Sequence, residues 1–179
     1  MYGPESDDPA AVLAWAKDNF GARGEEYFEI VRRQAAETGE SLRQAASISS
    51  FELGAQLAVE TMAKNGRKPY YYRFGPTVPG DDSGAYHSCD LWFEFETLMR
   101  SWRPFDGHHY DLARRMCNYW TNFAKTGDPN GLDADGTPMP LWKPFTLEDR
   151  QEIRFMDEIT TSCECTEKRR FLLDINLGA

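Results

Sequence analysis

The sequence predicts an α/β protein in which helices outnumber strands. Three observations carry this expectation: apolar residues recur at helical spacing in several windows, two short aromatic or branched runs have strand character, and the order is helix, strand, loop, helix. Asp8-Pro9 starts the first helix, because aspartate accepts from orphan amides and proline suits the first helical position. That helix is expected to run to Phe20 and stop at Gly21. A second spans 24–37 and ends near Gly39. Ser49-Ser50-Phe51-Glu52 has the spacing of a capping box and opens a helix whose apolar face is Phe51, Ala55, Ala58 and Met62, closed by Asn65-Gly66.

Tyr70-Tyr71-Tyr72-Arg73-Phe74 is short, aromatic and bounded by Pro69 and Gly75-Pro76, which predicts a strand. A polar loop follows over 75–83. After His87, Leu91, Trp92, Phe95, Leu98 and Met99 repeat as one buried helical face. Asp106 caps a further helix carrying Leu112, Met116, Tyr119, Trp120 and Phe123, which stops at Gly127 and gives way to a loop over 127–144. A second strand is expected over 152–157, and a final helix over 167–177 with Phe171, Leu172 and Ile175 inward. The chain is thus expected to divide into a helical region, 1–66, and a histidine-loop region, 67–179, with strands and C-terminal helices.

Bulk properties narrow the function. The 179 residues suggest one domain or a large piece of one, and 41% hydrophobic with 13% aromatic residues can fill a core. A net charge of −9 disfavours nucleic-acid partners, because phosphate backbones are repelled. No apolar run is long enough to cross a bilayer, so no membrane partner is expected. Met1-Tyr2-Gly3-Pro4-Glu5 lacks the basic start and apolar stretch of a signal peptide, although a signal on a longer parent would not show here, and the compartment is left open. Cys89, Cys117, Cys163 and Cys165 read as free thiols, and Cys163-Glu164-Cys165 lacks the second thiol pair of a zinc site.

The segment Gly84-Ala85-Tyr86-His87-Ser88-Cys89-Asp90-Leu91-Trp92-Phe93 resembles the catalytic-histidine loop of the type-B carboxylesterases, the family of cholinesterases and para-nitrobenzyl esterases. The shared pattern is a glycine, a histidine, and an acidic residue three positions later, here Gly84, His87 and Asp90. Three more segments resemble the family in the right order: the strand Tyr70 to Phe74, the helix end and turn Trp120 to Asn130, and Leu141-Trp142-Lys143-Pro144-Phe145. The likeness is good over 69–156 and looser before. It implies the C-terminal part of an α/β-hydrolase fold, carboxylic esters as substrates, and His87 as the catalytic base. Imidazole titrates near neutrality, so it can take a proton from a serine and return it to the leaving alcohol. Asp90 has a supporting place in the pattern, as an outer carboxylate or a helix-start charge. Tyr86 and Trp92 could line a substrate pocket or belong to the core, and for Trp92 the core is favoured.

The remaining triad members are not visible. In this fold the order is serine, acid, histidine, with the serine in Gly-x-Ser-x-Gly on a strand-to-helix turn. Gly39-Glu40-Ser41-Leu42-Arg43 begins so, but Arg43 replaces the second glycine, and Ser41 is rejected. Glu5, Asp7 and Asp8 lie near the family's acid position, but none precedes a glycine. The expectation is therefore a fragment of a serine esterase, inactive alone, that binds the N-terminal portion of its protein or self-associates through unpaired sheet edge. The alternative is a non-catalytic cholinesterase-like module that binds a protein partner. No cofactor is expected. A metal site at His108 and His109 is not expected either, since adjacent side chains diverge on a helix, and a solvated helix start accounts for them.

Overall fold

The structure, a computed structural model, describes residues 2–178. Two compact units form, one from Met1–Asn65 with Cys165–Ala179 and the other from Gly66–Glu164.

The first unit is helical: α1 (Pro9–Phe20), α2 (Gly24–Thr38), α3 (Leu42–Ala46), α4 (Ser50–Lys64) and α7 (Glu167–Leu177). Asp8 caps α1 as expected, accepting from the Ala10 amide at 3.3 Å. Gly21 ends α1 with φ +55°, and a single 3-10 turn (Gly21–Arg23) leads directly into α2. Its core contains Val12, Ala16, Tyr27, Val31 and Phe171, and the Tyr27 hydroxyl donates to the Ala46 carbonyl at 2.8 Å. The half-buried Lys168 ammonium donates to the carbonyls of Ala45 and Ser47, satisfying acceptors at the end of α3. Burial lowers its pKa.

Three helices of this unit differ from the expectation. The short α3 was not foreseen, although Ser41 and Gln44 form a reciprocal capping box at its start. The buried residues of α4 are Gln56, Val59 and Glu60, whereas Phe51 is 72% and Met62 44% exposed. Apolar residues occupy most sides of α4, so periodicity alone could not select the side that packs. Similarly, α7 buries Phe171, Leu172 and Leu173 while Ile175 stays exposed.

The second unit holds a three-stranded sheet in the order β1 (Tyr72–Phe74), β2 (Glu152–Phe155), β3 (Ile159–Ser162). β1 and β2 are parallel, and β2 and β3 antiparallel. The parallel pair requires a long crossover, supplied by α5 (Asp90–Glu94), a 3-10 turn (Leu98–Arg100), α6 (Gly107–Thr126) and the loop that follows. The register sets Tyr72 beside Ile153, Arg73 beside Arg154, and Phe74 beside Phe155. Alternation then puts the four apolar side chains on one face and the charged ones on the other. On the charged face the fully buried Glu152 carboxylate accepts from Arg154 at 2.7 Å and from Arg73 at 3.4 Å. The apolar face packs with Phe93, Met116, Tyr119 and Trp142.

The histidine-proximal helix differs from its expected form. α5 stops at Glu94, and Glu96 takes φ +49°, so the 91–99 repeat is broken after little more than one turn. Phe93 and Leu98 are buried, but Leu91, Phe95 and Met99 are exposed. Strand β3 was also not foreseen. Its sequence, Ile-Thr-Thr-Ser, has β propensity but only one apolar residue to signal a buried face.

Candidate active site around His87

β1 ends at Phe74, and residues 75–89 loop out before α5 begins at Asp90. His87 lies on the turn that enters α5 and is exposed. The backbone around it is tightly wound: the Tyr86 amide reaches the Gly84 carbonyl at 3.1 Å, the Cys89 amide the Tyr86 carbonyl at 3.1 Å, and the Leu91 amide the Ser88 carbonyl at 3.3 Å. Ser88 adopts φ +69°, a left-handed conformation that a residue with a Cβ seldom takes. Such geometry persists only where surrounding contacts hold it, and it fixes the direction in which the chain leaves His87.

Those contacts are visible on both sides. Downstream, the buried Cys89 anchors the turn, and burial raises its thiol pKa. The Tyr72 hydroxyl of β1 donates to the Asp90 carboxylate at 3.0 Å, tying the start of α5 to the sheet. Phe93 stacks edge-on against Phe74 with centroids 5.1 Å apart. Upstream, Arg103 clamps the loop. Its guanidinium donates to the Pro79 carbonyl at 2.7 Å and to both Asp81 oxygens at 3.0 and 2.8 Å. The Arg103 bond holds the Asp81 carboxyl down at about 2. The same guanidinium lies 5.3 Å from the Tyr86 ring centroid, and Tyr86 packs edge-on to Trp92 at 6.0 Å. Trp92 is only partly buried, against the core of this unit.

Asp90 is the first residue of α5, and its partner is Tyr72. Asp7 accepts from the Arg43 amide at 2.8 Å, Asp8 caps α1, and the Ser41 hydroxyl caps α3. Arg103 and Tyr72 were missed as positioning residues. An isolated arginine carries no pattern, and Tyr72 was read only as a strand residue.

His108 and His109, expected to diverge, do not: their ring centroids are 3.8 Å apart and both meet Asp106. Cys89, Cys117, Cys163 and Cys165 are not joined in disulfides. No helix among the described residues is long and apolar enough to cross a membrane.

A strand, an exposed histidine loop and a returning parallel strand flanked by helices define an α/β-hydrolase type of protein. The solved structures agree. An esterase of Clostridium hathewayi superposes with a TM-score of 0.60 at 22% identity, over 95% of this chain and 32% of its own. The Geobacillus stearothermophilus carboxylesterase EST55 gives 0.58 at 22% identity, over 91% and 33%. The chain belongs to the carboxylesterase family, whose profile matches residues 10–171. It is 33% identical over 88 residues to acetylcholinesterase of Gallus gallus, covering 47% of this chain and 11% of that protein. To carboxylesterase 5A of Felis catus it is 49% identical over 96 residues, covering 48% and 17%. The chain therefore spans under a fifth of the length of these curated relatives and about a third of the solved ones.

Proposed function

We propose that this chain is the histidine-bearing part of a serine carboxylesterase, with His87 as the base that moves a proton between a serine hydroxyl and the leaving alcohol of a carboxylic ester. The observation that carries this reading is the placement of His87, exposed on a turn whose backbone is held by the sheet on one side and by Arg103 on the other. An exposed imidazole on a rigid loop is what a hydroxyl supplied from elsewhere requires. In the reaction, the imidazole accepts the serine proton as the serine oxygen attacks the ester carbon. The imidazolium then protonates the departing alkoxide, leaving an acyl-serine that water cleaves by the same route. Serine, acid and oxyanion donors come from outside this chain, which contains no Gly-x-Ser-x-Gly.

The expected partner is the serine-bearing portion of the same hydrolase. Phe95, Met99 and Trp102, 69%, 81% and 71% exposed, are the apolar residues for it to cover. Without it the chain is expected to self-associate, and light scattering showing a clean monomer at high concentration would count against that. A non-catalytic binding module would use the same surface. Activity separates the two readings. In a polypeptide joining this chain to a Gly-x-Ser-x-Gly segment, His87→Ala is expected to lower kcat for a nitrophenyl ester by about six orders of magnitude. The chain alone should hydrolyse the ester at the same background rate with and without His87. Undiminished, serine-inhibitor-sensitive turnover in the joined variant would overturn the proposal.

A further inference from the structure

At the start of α6, three donor atoms from Asp106, His108 and His109 lie within 4.8 Å of one another. His108 Nδ1 is 2.5 Å and His109 Nδ1 2.8 Å from the same Asp106 carboxylate oxygen. The outer nitrogens are also engaged. His109 Nε2 is 2.9 Å from the Thr77 carbonyl, which can only accept, so this nitrogen donates there and Nδ1 is the atom turned toward Asp106. His108 Nε2 is 3.9 Å from an Asp157 oxygen. Thr77 and Asp157 are themselves joined, the Thr77 amide and hydroxyl donating to the two Asp157 oxygens at 2.7 and 2.8 Å. His109 therefore has a carbonyl acceptor behind it and a carboxylate in front, the arrangement that orients metal-bound histidines, while the Asp157 carboxylate stands near the outer nitrogen of His108 without a direct hydrogen bond.

Two imidazole nitrogens converging on one carboxylate oxygen need positive charge between them. One proton bridges one nitrogen–oxygen pair, whereas a metal ion serves all three atoms. We propose that Asp106, His108 and His109 bind a divalent first-row transition ion, with Zn²⁺ as the fitting occupant. Two nitrogens and one oxygen suit zinc, nickel or copper and not the oxygen-seeking magnesium or calcium. His109 is 3% exposed and fixed, while the side chains of Asp106 and His108 are 66% and 46% exposed, leaving room for water as the fourth ligand. The Asp106 amide, 3.2 Å from His109 Nδ1, gives up that contact when the metal binds. The positive end of the α6 dipole opposes a cation, and the carboxylates of Asp106 and Asp157 offset it. The ion would fix the first turn of α6, whose His109 already reaches the Thr77 carbonyl of the segment after β1, as a structural tie and not as a catalyst.

The test uses the untagged full chain carrying Cys163→Ser and Cys165→Ser, so that these two sulfur ligands do not compete for the ion. Calorimetry with Zn²⁺ at neutral pH should show one ion per chain, and a raised melting temperature should accompany it. His108→Ala, at an exposed position, should weaken binding by about tenfold or more with unchanged circular dichroism, and Asp106→Asn should do the same. Co²⁺ should give nitrogen–oxygen absorption without thiolate charge transfer. Absence of uptake, uptake indifferent to both substitutions, or histidine NMR titrations identical with and without Zn²⁺, which would mean a proton only, overturns the proposal.

Discussion

The Tyr72 hydroxyl stands between two carboxylates of α5, 3.0 Å from Asp90 and 3.2 Å from Glu94 one turn later. One phenolic proton serves both, and three potential anions share a partly buried space. Burial, then the two carboxylates, pushes the Tyr72 pKa up, and burial, then Asp90, raises that of Glu94. A raised carboxyl favours the fold below its unfolded value, and that contribution is lost as pH climbs through the folded value. At neutral pH ionised Glu94 is therefore a burden. Glu94→Gln keeps an acceptor for Tyr72 and removes the like charge. It is expected to stabilise the chain by about 0.5 kcal/mol at pH 7, with the gain vanishing near pH 4. Urea titrations at the two pH values check both parts.

Arg103 is expected to govern the mobility of the histidine loop. Its guanidinium is the common partner of Pro79, Asp81 and the Tyr86 ring. Arg103→Ala removes the clamp while leaving the Tyr72–Asp90 tie intact. Amide exchange at Tyr86 to Cys89 should accelerate by about tenfold or more, with little change in α6. Unchanged exchange there would show that Ser88 and its neighbours hold the turn by themselves. Asp81 adds a pH dependence. Its lowered pKa means that the clamp is complete above the ordinary aspartate value and fails as pH falls through about 2.

How far the sequence alone reaches is clearest in neighbouring segments. Helix ends were legible wherever a cap was local, as with Asp8, Gly39, Asp106 and Gly127, because the signal lies within a turn of the boundary. His87 was legible as a candidate because its segment and three others resemble one family in order. Which side of α4 is buried was not, since that is decided by packing against α7, far away in the chain. The break at Glu96 was hidden for a related reason: an apolar repeat continues through it, and only backbone geometry reveals the change of direction. The convergence of His108 and His109 was likewise invisible. Helical spacing fixes where the Cβ atoms point but not how two rotamers bend toward Asp106.

Asp133 organises the loop that carries Trp142 back to the sheet. The buried carboxylate accepts from Arg114 at 2.9 Å through both oxygens, from Arg115 at 3.3 Å, from Asn118 at 3.1 Å and from the Ala134 amide at 2.7 Å. The Arg114 bonds hold its pKa far below the usual range. Its stabilisation is complete above the unfolded aspartate value and fades as pH falls toward the folded one. Asp133→Asn should cost about 2–3 kcal/mol at pH 7, less than for a fully buried pair because the arginines remain partly in water. The deficit should shrink in acid, and paired denaturation curves at pH 7 and pH 3 would show it.

Gly24 sets two preferences against each other. It begins α2 with ordinary helical angles, so alanine would be favoured there by about 1 kcal/mol on helix propensity alone. Yet a Cβ at this position would lie 2.5 Å from the Cα and 2.6 Å from the amide nitrogen of Lys17, backbone atoms of α1 that cannot rotate away. Relief requires the two helices to separate, loosening the contact that buries Val12, Ala16 and Tyr27. Overpacking of this kind costs about 1–3 kcal/mol and exceeds the propensity gain. Gly24→Ala is therefore expected to destabilise the helical unit by roughly 1–2 kcal/mol net. Thermal unfolding followed at 222 nm would reveal the loss, and a variant as stable as the parent would mean that α1 and α2 cross with more room than their backbones show.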